Sequence, residues 1–126
     1  MNPQELHDRA KEIALTLNGS YEDYPFGEEH CVFRLQGKIF IFISTIKNRK
    51  IVTLKMPANQ VQLNIEIFKS IHPGYHMNKK YWITIEAGED ITEELLTDFI
   101  HSSYQQVLKK LPKNKRNILL LNDFKS

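Results

Sequence analysis

The chain has one cysteine, Cys31, so no disulfide can close within it. It has no apolar run near the roughly 18–20 residues of a membrane span. The longest, Ile39-Phe40-Ile41-Phe42-Ile43, is the size of a strand. Its beginning, Met1-Asn2-Pro3-Gln4-Glu5, lacks the charged and then apolar pattern of a signal peptide. The five glycines stand singly, so no Gly-rich phosphate loop, Walker motif or dinucleotide fingerprint is present. No Gly-x-Ser-x-Gly elbow occurs either. These absences predict a cytoplasmic protein that does not enter a membrane.

A length of 126 residues sets the expectation of a single domain with a real core. Net charge is only +2, but the charges are segregated. Between Cys31 and Ile65 there is no Asp or Glu, while Arg34, Lys38, Lys47, Arg49, Lys50 and Lys55 all fall there. A second cationic run is Lys109, Lys110, Lys113, Lys115 and Arg116. Acids gather at residues 22–29 and 86–98. Such a pattern gives separate basic and acidic faces if the fold brings each set together. Otherwise the lysines simply solubilise turns and a helix end.

Hydrophobic periodicity predicts the elements. Leu6, Ala10, Ile13, Ala14 and Leu17 recur at helical spacing, giving a helix over residues 3–18 with Asn2 as N-cap. Residues 21–29 read as an irregular link centred on Tyr24-Pro25-Phe26-Gly27. Strands follow at 31–35, 38–45 and 51–55. A tight turn at Gln36-Gly37 and a longer basic turn at residues 46–50 join them into an antiparallel meander. After Pro57 the pattern fits both helix and strand; Pro57 at the first helical position favours helix. Tyr81 to Glu86 is a strand. Thr92 caps a helix to Lys110, which Pro112 ends. The predicted fold is α+β, two-layer, with an antiparallel sheet carrying helices on one face, in the order α-β-β-β-α-β(β)-α.

Chemistry concentrates in Pro73-Gly74-Tyr75-His76-Met77-Asn78-Lys79-Lys80-Tyr81-Trp82. This decapeptide is too polar for a core and too aromatic for an ordinary solvated loop. Catalysis finds no support there, since neither a nucleophile nor a carboxylate pair stands by. Cys31 beside His30 on a strand points to the opposite face from it, which predicts an inert buried thiol. His72 and His76 are four apart, but Pro73-Gly74 prevents the helix that would join them at a metal. What the segment does offer is cations beside planar rings, the pairing that nucleic acids require.

Several motifs together resemble the MmcQ/YjbR-like family, described as having a CyaY-like or double-wing fold. They are Asp23-x-Pro25-Phe26-Gly27, Val32-Phe33, Gly37-Lys38-x-Phe40, Leu54-Lys55, the decapeptide, Ser103-Tyr104 and Leu111-Pro112-Lys113. The resemblance covers residues 3–116 and implies an α+β domain with an antiparallel sheet and a DNA-binding role. It supplies no catalytic residues. Met56-Pro57 departs from the family, where a polar or acidic residue is frequent. Residues 117–126 fall outside it and are expected to be a tail after a domain spanning 1–116.

The leading expectation is therefore a non-enzymatic DNA-binding protein without metal or cofactor, a monomer or weak homodimer. Lys47, Arg49, Lys50, Lys79 and Lys80 would meet phosphates. Tyr75, His76 and Trp82 would shape the contact, and Asn78 would bond a base edge or sugar. The alternative is a peptide- or small-molecule-binding module around Trp82. In a third reading the decapeptide is a structural staple. Placement decides: cations gathered on a convex face favour DNA, and aromatics lining a concavity with few cations favour a ligand.

Overall fold

The computed structural model describes Met1 to Lys125, with side chains as far as Leu121. The described residues form α1 (Pro3–Leu15), β1 (Ser20–Asp23), β2 (His30–Leu35), β3 (Lys38–Ile46), β4 (Arg49–Lys55), α2 (Ala58–Ile67), β5 (Ile71–Pro73), β6 (Trp82–Ile85), α3 (Glu93–Lys110) and α4 (Lys113–Lys125). The six strands make one antiparallel sheet in the order β1-β2-β3-β4-β6-β5.

Partners across an antiparallel pair share a face. Cys31, Ile43, Val52 and Ile85 therefore form one row across four strands, and Phe33, Ile41, Leu54 and Ile83 the next. All eight are buried. Helices α1 and α3 cover this face and pack on each other. Each buried Ile or Leu contributes about 1.5–3 kcal/mol of transfer free energy. Just beyond the second row, the β2–β3 register shifts so that Phe33 faces Ile41 while Arg34 faces Ile39. Phe40 is the extra residue. This bulge lets Phe40 and Ile41 both be buried, and the Phe40 ring meets Tyr104 of α3 edge-on at 5.7 Å.

Both long hairpins close with two-residue turns whose central residues have positive φ: Gln36 and Gly37, then Lys47 and Asn48. Such turns match the twist of the strands. The basic turn is thus shorter than its composition predicts, because Ile46 and Arg49 already pair in the ladder. Helix α1 has a full capping box between Asn2 and Glu5.

Three further points differ from the sequence reading. Ser20–Asp23 is an edge strand rather than part of an irregular link; its two middle residues are exposed, so no alternation marks it. Pro57 is the N-cap of α2 and makes no side-chain capping bond. The segment from Asn117 continues α4, and its Leu119 is buried. The Asn18 side-chain amide donates to the Leu119 carbonyl at 3.0 Å.

His7 of α1 is buried, with Nε2 3.0 Å from the Ile51 carbonyl. A carbonyl only accepts, so Nε2 carries the hydrogen. Burial pushes the His7 pKa below its ordinary 6.5; the bond to Ile51 opposes this, and Lys50 and Lys11 reinforce it. Below 6.5 the unfolded chain takes up a proton that the folded chain refuses. Stability should fall as pH drops from just above 6.5 through the folded-state pKa, then level off. Urea unfolding across this range, compared with His7→Gln, checks it: the wild type should lose more stability on acidification than the variant. Equal losses would exclude His7 as the cause.

Candidate binding site

The other face of the sheet carries no helix across its centre. Its middle row runs Val32, Phe42, Thr53, Thr84 and His72, and the row beside it runs His30, Ser44 and Ile51. The Thr53 and Thr84 hydroxyls lie 2.9 Å apart, and Thr84 Oγ1 also accepts the Tyr75 N–H at 2.9 Å. The two threonine hydroxyls are thereby satisfied within the floor, which leaves its surface largely apolar around them.

Two loops wall the floor. In the first, Phe26 lays its ring over Phe42, with centroids 6.4 Å apart and planes at 21°. Its outer side is open, and the residue is 62% exposed. The second is the decapeptide, an excursion of the β5–β6 hairpin. The Gly74 N–H donates to the Trp82 carbonyl at 2.9 Å, and the Tyr81 and Trp82 N–H groups both donate to the Asn78 carbonyl at 3.1 Å. The Asn78 side chain accepts the Lys80 N–H at 3.0 Å. His76 takes a φ of 56°, and its ring lies 4.0 Å from that of Tyr75.

Two adjoining depressions result, with Tyr75 lining both. One, of about 270 Å³, is bounded by Ile46, Lys47, Arg49, His72 and Glu86. The other, of about 330 Å³, is bounded by Phe26, His30, Phe42, Thr53, His76 and Met77. Glu86 receives Arg49 at 3.0 Å and lies 3.4 Å from His72 Nε2. That histidine nitrogen is buried and out of line for a hydrogen bond. Among the described residues, Lys47 is the cation of this rim with no ion pair.

The nine residues expected at the site separate. Lys47, Arg49, Tyr75 and His76 reach the concavity. Trp82 stands edge-on to Phe42 at 5.7 Å and braces the floor. Asn78 and Lys79 hold the loop itself, Lys79 Nζ donating to the Gly74 carbonyl at 3.1 Å. Lys50 pairs with Thr45 in the ladder and acts on His7, on the helix side. Lys80 points to the Tyr81 ring. Phe42, Thr53 and Met77 were not anticipated as site residues. The signal for Phe42 was the alternation within Ile39 to Ile43, obscured because every residue of that run is apolar.

Cys31 stands on the core row, and burial pushes its thiol pKa up, as an unreactive cysteine requires. Among the described residues, no three His, Cys, Asp or Glu side chains cluster as metal ligands. None of the described helices is long and apolar enough to cross a membrane.

The molecule is thus an α+β domain whose antiparallel sheet has helices on one face and a loop-walled apolar concavity on the other. It belongs to the YjbR family, whose model matches residues 15–106. The chain is 43% identical over 113 residues to YbdF of Escherichia coli O157:H7, covering 90% of this chain and 93% of that one. It is 25% identical over 87 residues to YjbR of Escherichia coli K12, covering 69% and 74%. The crystal structure of the Deinococcus radiodurans protein DR2400, with a DUF419 domain, aligns at a TM-score of 0.79 and 29% identity. That alignment covers 89% of this chain and 86% of the other. A Pseudomonas syringae crystal structure shares the fold at a TM-score of 0.68 and 23% identity, covering 84% and 98%.

Proposed function

We propose that this chain is a non-enzymatic binding module whose site is the concavity on the helix-free face. Its ligand is a peptide or small molecule with an aromatic or aliphatic body and an acidic group. The observation that carries this reading is the convergence of Phe26, Phe42, Tyr75 and Met77 on one concave apolar floor. Apolar clefts with few polar groups are the usual form of ligand sites. Lys47, the cation without an ion pair, gives the acidic group its partner. Histidines and a threonine pair line the site, but the hydroxyls are committed to each other and to the Tyr75 backbone. That is the chemistry of holding rather than of transfer.

DNA binding, the role implied by the family resemblance, is the second reading. It is supported by the exposed Lys47 and Lys80, whereas Arg49 and Lys79 are engaged within the protein.

An aromatic sulfonate dye and short acidic peptides with aromatic residues are suitable probes. In NMR titrations they should shift the amides of Phe42, Thr53, Tyr75 and Met77. The Phe26→Ser, Tyr75→Ser double variant should bind about tenfold more weakly or worse. Shifts confined to other surfaces, or undiminished binding by the variant, would refute the module. Duplex DNA run alongside decides the second reading, since its affinity must fall steeply with salt.

A further inference from the structure

At the far end of the sheet from the β3–β4 turn, lysines from separate elements converge. Lys55 ends β4, Lys110 lies in the last turn of α3, and Lys80 precedes β6. Their ammonium nitrogens stand 5.9, 5.5 and 5.4 Å from the centre of the Tyr81 ring. Beside them opens a cavity of about 360 Å³, where Lys38 joins Lys55, Lys110 and Trp82 over an apolar side made by Ile39 and Val107.

Among the described residues, none of these four lysines has a carboxylate within ion-pairing distance. The sequence explains why. Lys38 and Lys55 belong to the acid-free stretch, and the acids of α3 end at Asp98. Twelve residues at 1.5 Å rise put Asp98 roughly 18 Å along the helix from Lys110. The helix dipole accounts for lysines in the last turn of α3. It does not account for Lys55, which comes from the sheet and is partly withdrawn from water. Burial holds the Lys55 ammonium below its ordinary pKa, and the touching Lys110 pushes the same way. The Tyr81 ring attracts cations but carries no charge to neutralise them.

We propose that Lys38, Lys55, Lys80 and Lys110 form a binding site for the phosphate of a small molecule, most suitably a diphosphate. The rest of the ligand would lie against Trp82. One compact, multiply charged anion can meet several ammonium groups grouped around one ring. A nucleic-acid backbone instead spaces its charges along an axis. The site is distinct from the concavity and stands independently of the reading given for it.

Calorimetry at fixed ionic strength tests it with inorganic phosphate, pyrophosphate, a nucleoside diphosphate and a short DNA duplex. Pyrophosphate should bind saturably, raise Tm and shift the amides of Lys55, Tyr81, Trp82 and Lys110. In the Lys55→Gln, Lys110→Gln double variant its affinity should fall about tenfold or more. Lys47→Gln should leave it unchanged. Without ligand the double variant should melt no lower than the wild type, because two mutually repelling charges have been removed. A tighter nucleoside diphosphate would identify the source of the phosphate as a nucleotide; tighter pyrophosphate would identify a free polyphosphate. The proposal is overturned if pyrophosphate does not bind the wild type, if its shifts lie elsewhere, or if the double variant binds it equally well. It is also overturned if duplex DNA occupies these lysines and pyrophosphate does not displace it.

Discussion

Ser103→Ala should cost about 2–4 kcal/mol of unfolding free energy, far more than a small, conservative change suggests. The Ser103 hydroxyl is completely buried and joins the helix layer to the sheet. It donates to the Phe40 carbonyl at 2.5 Å and accepts the Lys55 N–H at 2.9 Å. Phe40 is the bulged residue that the β2–β3 register passes over, and Lys55 is the last residue of β4. One hydroxyl therefore serves two backbone groups at irregular points of the sheet. Alanine removes both bonds and leaves the donor and acceptor dry, each costing about 1–3 kcal/mol. Ser102→Ala, at the neighbouring half-exposed position, is the control and should change little. Urea unfolding measures both. A loss below about 1 kcal/mol for Ser103→Ala would show that water or a shifted backbone replaces the hydroxyl.

The bulge also shows how far the sequence could be read. Element types followed from periodicity because α1 and α3 bury one clean stripe each, and β2 to β4 are joined by turns too short for any other pairing. The bulge was not legible, since every residue from Ile39 to Ile43 is apolar and a register shift leaves no mark in such a run. Nor was β1, whose pairing depends on backbone bonds to β2 and on the Arg34–Asp23 ion pair at 2.8 Å. The α2 ambiguity resolved as helix: Val61 is buried, while Leu63 and Ile67, which a strand would have placed beside it, are exposed. The family motifs gain physical content here. Ser103 bridges helix and sheet, and the Tyr104 hydroxyl donates to the Asn18 carbonyl at 2.7 Å.

The candidate site was legible in kind but not in arrangement. The decapeptide does wall a cavity, and Tyr75 and His76 do face it. Its lysines do not act together. Lys79 turns back onto Gly74, while Lys80 turns the other way, towards residues that arrive from β4 and α3. Lys55 and Lys110 are 55 positions apart in sequence, and only the antiparallel order β3-β4-β6 with α3 laid across it brings them together. Charge segregation in the sequence left two outcomes open, cations gathered on a face or lysines spread over turns and a helix end. Topology decided that they gather at the end of the sheet opposite the basic turn.

Gly74→Ala should be the most damaging change within the decapeptide itself. A Cβ at Gly74 would stand 2.7 Å from the Trp82 Cβ and 2.9 Å from the Trp82 carbonyl carbon and oxygen. Two of these are backbone atoms held by the β4–β6 ladder, so they cannot yield as a side-chain tip would. The constraint is one of space rather than of φ. Gly37 is the useful contrast, because it has a φ of 85° and open space around its missing Cβ. Gly37→Ala should cost about 1 kcal/mol through conformation alone, whereas Gly74→Ala should cost about 3 kcal/mol through overpacking. The damage should also be local. Separating Gly74 from Trp82 breaks the hydrogen bond between them and lifts Tyr75 from Thr84, removing the wall shared by both depressions. Dye binding at the concavity should therefore be lost in Gly74→Ala and kept in Gly37→Ala, with stability followed by thermal unfolding. Full binding by Gly74→Ala would mean that the loop can move off Trp82 without giving up the site, and the close approach at Gly74 would then be incidental to binding.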